Sequence, residues 1–470
     1  MPSDPEPSKY RPDTPIEALA GWLADEVAAA DFPETKLRFR NARWADAVGL
    51  NGLSDGDWLK HFGRFHPLPE NLSQPLALRY HGHQFRVYNP DIGDGRGFLF
   101  GQLRDGKGRL LDLGTKGSGQ TPWSRAGDGR LTLKGGVREI LATEMLEALG
   151  VNTSKTFSIV ETGEQLERGD EPSPTRSAVM TRLSHGHIRI GTFQRLMVLE
   201  EKDHMAELVD YCLAHFPGPP PPDDALGRDE PAVWLMHLVV ERLADLAASY
   251  MVAGFVHGVL NTDNMNISGE SFDYGPWRFL PKWDPGFTAA YFDHQGLYAF
   301  GRQPEALHWN CGQLAIALRT LVDAPPLIAA MERFGSLYMA AVGRRWCWRL
   351  GVESKGPEGD GKLVGLSEAE MAQSGEQPDA FFYRHRVGQG SDGDLGKLLK
   401  AYSAIGDTHP YWLEGAPESM LIDEVEAIWS AIDERDDWQP LREKVARLRR
   451  MGEAYGPAPV PAGFAAKDSI

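Results

Sequence analysis

Three stretches of this 470-residue chain carry side chains whose chemistry depends on one another. Gly93-Asp94-Gly95-Arg96-Gly97 is a Gly-rich bend. Such a bend lets backbone amides approach phosphate oxygens, and Arg96 can add charge-assisted bonds. Alone it also fits an ordinary turn. Lys116 closes the segment RLLDLGTK, where it can reach beneath the bend or end a strand in solvent. Glu139 offers that lysine a carboxylate, with Glu144 as rival. Far downstream, His257-Gly258-Val259-Leu260-Asn261-Thr262-Asp263-Asn264 precedes Asp273 in Phe272-Asp273-Tyr274-Gly275. An Asn amide oxygen and an Asp carboxylate suit Mg²⁺, a hard cation that takes one or two carboxylates plus phosphates and water. A further Asp can orient or deprotonate a hydroxyl nucleophile.

The patterning around these residues predicts the elements that must position them. IEALAGWLADEVAAA (16–30) reads as a helix. Residues 84–89, 98–104 and 109–116 read as strands, with the Gly-rich 90–97 between the first two and the hairpin turn DGKG (105–108) before the third. The spacing of Ile140, Leu141, Met145, Ala148 and Leu149 predicts a helix over 137–150 stopped by Gly150, with Glu139 in its first turn. Residues 155–162 and 177–184 read as further strands. PGPPPPDD (217–224) is an extended break. Helices dominate after it, over 231–253, 312–322 and the acidic 422–437, whose charges read as a solvated face. GPEGDGK (356–362) reads as an exposed loop. A strand-rich first part thus precedes a helix-rich second part.

Composition excludes some classes of function. Forty-nine Lys+Arg against 66 Asp+Glu leave a charge of −17, which disfavours general nucleic-acid binding but not a local basic pocket for one nucleotide. At 42% hydrophobic residues the chain can bury a large core. No apolar run reaches the roughly 18 residues of a membrane span, and Asp245 interrupts the longest candidate. The opening MPSDPEPSKYRPD is acidic and Pro-rich, unlike a secretory or transit signal. Cys212, Cys311 and Cys347 form neither a disulfide framework nor a zinc pattern and read as small buried hydrophobes. A cytoplasmic location fits.

Gly-rich loop, strand, hairpin, strand with Lys, then helix with Glu is the order found in the small lobe of protein kinases. There the Lys–Glu ion pair holds the Lys against phosphates. The second set resembles a kinase catalytic loop and its D-F-G segment. One slot departs: where kinases carry the base of H-R-D, this chain has H-G-V, with Val259, and Asp263 stands beside Asn264 instead.

Together HGHQFRVYNPDIGDGRGFLFGQL, LGTKGSGQTPWSRAGDGR, SHGHIRIGTFQ and HGVLNTDNMNIS–FDYGP, in that order, resemble the selenoprotein O family of protein adenylyltransferases, most strongly over about residues 75–310. The resemblance implies an α+β, protein-kinase-like bilobal fold with a strand-rich small lobe, a helical large lobe, and additional N- and C-terminal helices. The implied parts are a helical extension over 1–75, a small lobe over 76–200, a large lobe over 225–350 and a second extension over 351–470. It implies ATP bound flipped relative to kinases and transfer of AMP to Ser, Thr or Tyr hydroxyls of proteins, pyrophosphate leaving. Uridylylation has also been attributed to bacterial members. Carried over by residue, Gly93, Gly95, Arg96, Asp128 and Gly129 line the nucleotide. Lys116 and Glu139 form the ion pair, and Arg182 and Arg189 hold phosphates. Asp263 is the base; Asn264 and Asp273 hold Mg²⁺, or Mn²⁺, with Asp273 also facing the nucleotide. Many members carry a redox-active Sec or Cys near the C-terminus; the tail AYGPAPVPAGFAAKDSI has neither, so that disulfide is not available here.

Other readings remain open at this level. His81-Gly82-His83 and His185-Gly186-His187 look like metal pairs, though structural roles suit them better. Trp123 can stack on a base or pack. Partners are expected to be proteins with acceptor hydroxyls, with neither nucleic acid nor membrane. Rival functions are uridylyl transfer from UTP, a protein or small-molecule kinase using Asp263, and a silent nucleotide-binding scaffold.

Overall fold

The computed structural model describes residues 9–461, apart from 170, 389, 391, 407 and 408. The acidic start and the end of the Cys-free tail lie outside the described residues. In chain order the strands are β1 (Ala24–Glu26), β2 (Lys36–Arg40), β3 (Leu76–Leu78), β4 (Gly82–Gln84), β5 (Val87–Asn89), β6 (Leu99–Arg104), β7 (Leu110–Lys116), β8 (Leu131–Thr132), β9 (Lys155–Leu166), β10 (Thr175–Ser184), β11 (Phe255–Val256) and β12 (Arg278–Phe279). The helices are α1 (Ala20–Leu23), α2 (Ala42–Ala47), α3 (Asp55–Phe62), α4 (Leu133–Ala148), α5 (Ile190–Val198), α6 (Lys202–His215), α7 (Pro231–Ala253), α8 (Gln303–Leu318), α9 (Ala324–Glu332), α10 (Phe334–Leu350), α11 (Pro357–Ser374), α12 (Pro378–Arg386), α13 (Asp394–Leu399), α14 (Ile422–Arg435) and α15 (Gln439–Tyr455).

The chain forms two units. The first comprises Met1–Ile140, Ser154–Pro217 and Asn266–Glu270; the second comprises Leu141–Thr153, Gly218–Met265 and Ser271–Ile470. The first is built on an eight-stranded antiparallel sheet in the order β1-β3-β6-β7-β10-β9-β2, with β8 pairing β10. Its long strands β6 and β7 are buried almost throughout. Their apolar residues pack with Phe32, Trp58, Phe62, Phe65 and Phe157. Removing such aromatic area from water is the main drive for this core.

The second unit is helical around α7. Pro231 starts α7, Gly254 in the left-handed region ends it, and nearly every residue between is buried. Asp245 survives burial because Arg345 grips it at 3.0 and 2.5 Å. The core here joins Met251, Trp283, Phe300, Trp346, Phe381 and Phe382. Among the described residues no helix is long and apolar enough to cross a membrane.

Several local expectations are overturned. Residues 16–30 are not one helix: α1 stops at Leu23 and β1 follows. Ala24–Glu26 pair with Leu76–Leu78, and Val27 N donates to Pro75 O at 3.0 Å. Pairing with a distant strand outweighs alanine's helix propensity. Residues 1–75 are therefore not a purely helical extension, since they supply both sheet edges, β1 and β2. Residues 84–89 form a hairpin rather than one strand, because Phe85 and Arg86 turn the chain at positive φ (49° and 63°). α4 starts four residues early, where Thr132 Oγ1 accepts from Gly135 N at 3.1 Å, so Glu139 lies in its second turn. The helix expected over 312–322 is α8, which starts at Gln303 and ends at Leu318. Residues 357–362 open α11 instead of forming a loop. Buried Asp360 accepts there from Lys355 N at 2.9 Å and Tyr402 OH at 3.3 Å.

Candidate active site

In the first unit, the register of β7 and β10 decides which side chains meet. Met180 stands opposite Lys116, and Arg182 opposite Gly114. Lys116 and Arg182 therefore project from one face of the sheet as diagonal neighbours. Lys116 is only 5% exposed, which excludes a solvated strand end. Its Nζ lies 2.5 Å from Glu139 Oε1, and Glu139 is 2% exposed. The rival Glu144 is engaged elsewhere, in a two-bond pair with Arg449 at 2.8 and 2.5 Å. A buried lysine held this way is a fixed positive charge with its stem locked.

The Gly-rich bend is clamped to the same sheet by Asp94. Asp94 N donates to Leu78 O at 3.0 Å, Leu78 N donates to Asp94 Oδ2 at 3.1 Å, and Arg189 Nη2 donates to Asp94 Oδ1 at 3.1 Å. Arg189, 4% exposed, also lies over the Tyr80 ring at 4.4 Å. Gly93 is required by close approach: a Cβ there would sit 2.5 Å from Trp123 Cγ. Trp123 thus covers the bend, and its indole donates to Asp25 at 3.0 Å. Packing against the bend is thus one role of Trp123. Ser124 Oγ reaches Gly95 O, and Arg96 is exposed at the bend's edge.

Asp128 and Gly129 lie in the 117–130 segment, where Gly119 N donates to Gly129 O at 3.1 Å. Asp128 is exposed and bonded to Arg168 at 2.8 and 3.2 Å. Burial raises its carboxyl, but Arg168 and the Arg130 amide outweigh this and hold it below the usual range. Asp128 is therefore not drawn onto Lys116 or Arg182.

The second unit holds the other set in a pinned loop. His257 Nε2 donates to Phe272 O at 3.0 Å, and Val259 N donates to His257 Nδ1 at 3.4 Å. One imidazole thus ties the 257–264 loop to the segment carrying Asp273. Asp263 and Asn264 sit on a short 3-10 turn, Thr262–Asn264. Asn264 Nδ2 donates to Val259 O at 3.1 Å, which turns its amide oxygen to the other side. Asp273 is held at φ 64°, uncommon outside glycine. Asn264 and Asp273 both offer oxygen donors, the type a hard divalent cation takes. Among the described residues no group of three or more His, Cys, Asp or Glu is placed to hold a metal. Three of the four histidines of the two HGH pairs have hydrogen-bond partners, and the His185 ring packs edge-on against Phe216 at 5.2 Å. His81 meets Tyr88 OH at 2.5 Å, His83 meets Gln194 at 2.7 Å, and His187 meets Asp112 at 3.2 Å. The His185 amide donates to Glu270 at 2.7 Å.

Residues that sequence reasoning missed hold both sets. Gln303 of α8 accepts from His257 N at 3.0 Å and donates to Phe255 O at 2.8 Å. Asn310, on the same helix, donates to Leu260 O at 2.9 Å, and Tyr298 OH donates to Asn261 Oδ1 at 2.7 Å. Nothing in their spacing announces a task. In the first unit the missed residues are Asp94, Asp112 and Gln102.

The comparisons with known proteins decide the class. The family model for "Protein adenylyltransferase SelO" matches residues 8–392. The chain belongs to the SelO family. It is 42% identical over 469 residues to a "Protein nucleotidyltransferase YdiU" of Synechocystis sp., covering 92% of this chain and 97% of that one. The proteins of the same name from Gloeobacter violaceus and Synechococcus elongatus are 43% and 50% identical, over 91% and 72% of this chain and 92% and 67% of theirs. Membership of the SelO family makes the chain a nucleotidyltransferase.

Proposed function

We propose that this enzyme moves AMP from ATP to Ser, Thr or Tyr hydroxyls of proteins, in the cytoplasm and on a protein-kinase-like scaffold. The observation that carries the reading is the adenylyltransferase family match over residues 8–392, within which every proposed site residue lies. In this reading Gly93, Gly95, Arg96 and Gly129 line the nucleotide, and Asp128 borders it. Lys116, steadied by Glu139, stabilises charge on the reacting phosphate. Arg182 and Arg189 compensate the β- and γ-phosphates, planar guanidinium groups being suited to phosphate. Asp263 takes the proton of the acceptor hydroxyl. The hydroxyl oxygen bonds to the α-phosphorus as the α–β bridging bond breaks, and pyrophosphate leaves. Asn264 and Asp273 would hold Mg²⁺, which supplies charge neutralisation on the phosphates.

The test is incubation of the chain and acceptor protein with ATP labelled at either phosphorus. Label is expected to enter protein from the α-position alone. Label entering only from the γ-position makes the protein a kinase. Incorporation from neither leaves a nucleotide-binding scaffold. α-Labelled UTP in parallel reads out the preferred base.

A further inference from the structure

We propose that His187, Asp112 and Gln102 form a polarised relay that fixes the Arg182 guanidinium for phosphate capture, making them positioning residues for the nucleotide. The inference rests on the reading of Arg182 as a phosphate ligand. All its members belong to the first unit.

The direction of every bond is set from one end. Ile16 N donates to Gln102 Oε1 at 3.0 Å, so the nitrogen of that amide faces the other way. Gln102 Nε2 then donates to Asp112 Oδ1 at 2.7 Å and to Tyr211 OH at 3.2 Å. Asp112 meets His187 Nδ1 with its second oxygen, at 3.2 Å. An ionised carboxylate only accepts, so the imidazole proton sits on Nδ1. His187 Nε2 is left with a lone pair. It accepts from Arg182 Nε at 3.3 Å and from the Ser184 hydroxyl at 3.3 Å. Holding Nε sets the plane of the guanidinium, and with it the direction of its Nη donors.

Burial keeps the relay intact. Gln102, Asp112, His187 and Arg182 are 0%, 3%, 6% and 6% exposed. Burial, aided by the charges of Arg182 and Arg189, depresses the His187 pKa against the pull of Asp112, so the ring stays neutral. Gly114 makes the space: a Cβ there would lie 2.3 Å from His187 Nε2. The imidazole fills the place opposite Arg182 that a β7 side chain would take.

Asp112→Asn tests the polarity with little change of shape. Gln102 still donates to the amide oxygen, so the amide nitrogen faces His187 Nδ1. The ring proton must then move to Nε2, where it meets the Arg182 Nε–H. Titration of the full chain with a non-hydrolysable magnesium ATP analogue is expected to show roughly ten- to hundredfold weaker binding, the worth of one hydrogen bond to a charged group. Affinity for AMP, which lacks the outer phosphates, is expected to hold. His187→Gln presents an acceptor and a donor at the spacing of the two ring nitrogens and is expected to keep ATP-analogue binding, whereas His187→Leu loses it. Unchanged ATP-analogue affinity in Asp112→Asn, or equal losses for the analogue and AMP, overturns the relay. Should Asp112→Asn fail to fold, the two His187 variants decide; like behaviour of Gln and Leu overturns the proposal. Wild-type transfer of α-label is measured alongside. Its absence overturns the functional reading, while the contrast between the ATP analogue and AMP still decides the relay.

Discussion

The sheet-borne set and the loop-borne set are held by opposite means. Lys116, Glu139, Arg182 and Arg189 stand on or beside strands and a helix in nearly solvent-free surroundings, Lys116, Glu139 and Arg189 in ion pairs and Arg182 bonded to the His187 imidazole. Asp263, Asn264 and Asp273 stand on irregular backbone, which neutral groups of His257, Gln303, Asn310 and Tyr298 hold by hydrogen bonds. The contrast teaches where damage should appear. Removing one member of a buried ion pair strands a charge, so stability and binding fall together. Asp263 and Asp273 are only half-buried, so their loss is expected to lower chemistry more than stability.

Asp263→Asn offers the hardest blow to this contrast. Transfer should fall about 10³-fold, the middle of the range for a lost general base, with ATP affinity and Tm near wild type. A large drop in Tm would erase the distinction between the two sets. Lys116→Met is the counterpart. It should abolish ATP binding and cost about 3–5 kcal/mol in denaturant unfolding, because Glu139 stays buried without its cation. Adding Glu139→Gln should recover much of that stability and none of the activity. Glu144→Gln, which breaks the Arg449 pair, should leave transfer near wild type.

Gln303→Leu sharpens the loop side. Two backbone groups lose their partner, so about 1–3 kcal/mol is expected, with kcat lowered more than ATP affinity. Equal falls in both would mean the amide does more than hold the loop.

The smallest effect concerns pH. Burial, opposed by Lys155 and the His185 amide, pushes the Glu270 carboxyl up to about 7. Its folded pKa then lies above the unfolded one, so the native state binds the extra proton between them. Stability should therefore fall as pH rises from about 4.3 to about 7 and level off above. Glu270→Gln should flatten this slope and raise Tm at pH 8. An unchanged pH profile of Tm would show that Glu270 titrates alike in both states.

Much of the architecture was readable because it is local. The strand-forming runs of 98–104, 109–116, 155–162 and 177–184, set off by turn signals, and the apolar run of 231–253 each name their element, since these signals are local to the backbone. Residues 16–30 misled for the reason that 98–116 did not: Ala-rich sequence favours helix, but Leu76–Leu78 supplies a strand partner from a distance. The Asp360 segment misled likewise, its glycines signalling a loop while the buried Asp360 carboxylate, bonded to Ser354, Lys355 and Tyr402, stabilises a helix start.

At the site, residue types and order alone were enough to nominate Lys116, Glu139, Asp263, Asn264 and Asp273, because phosphate and a hard cation demand those donors. The burial of the Lys116–Glu139 pair, the pairing of Glu144 with Arg449 instead, the burial of Arg182 and Arg189, and the tautomer of His187 were decided only by folding. Each depends on which distant group lies within about 3 Å, the range over which a hydrogen bond acts, and separation along the chain carries no information on that scale.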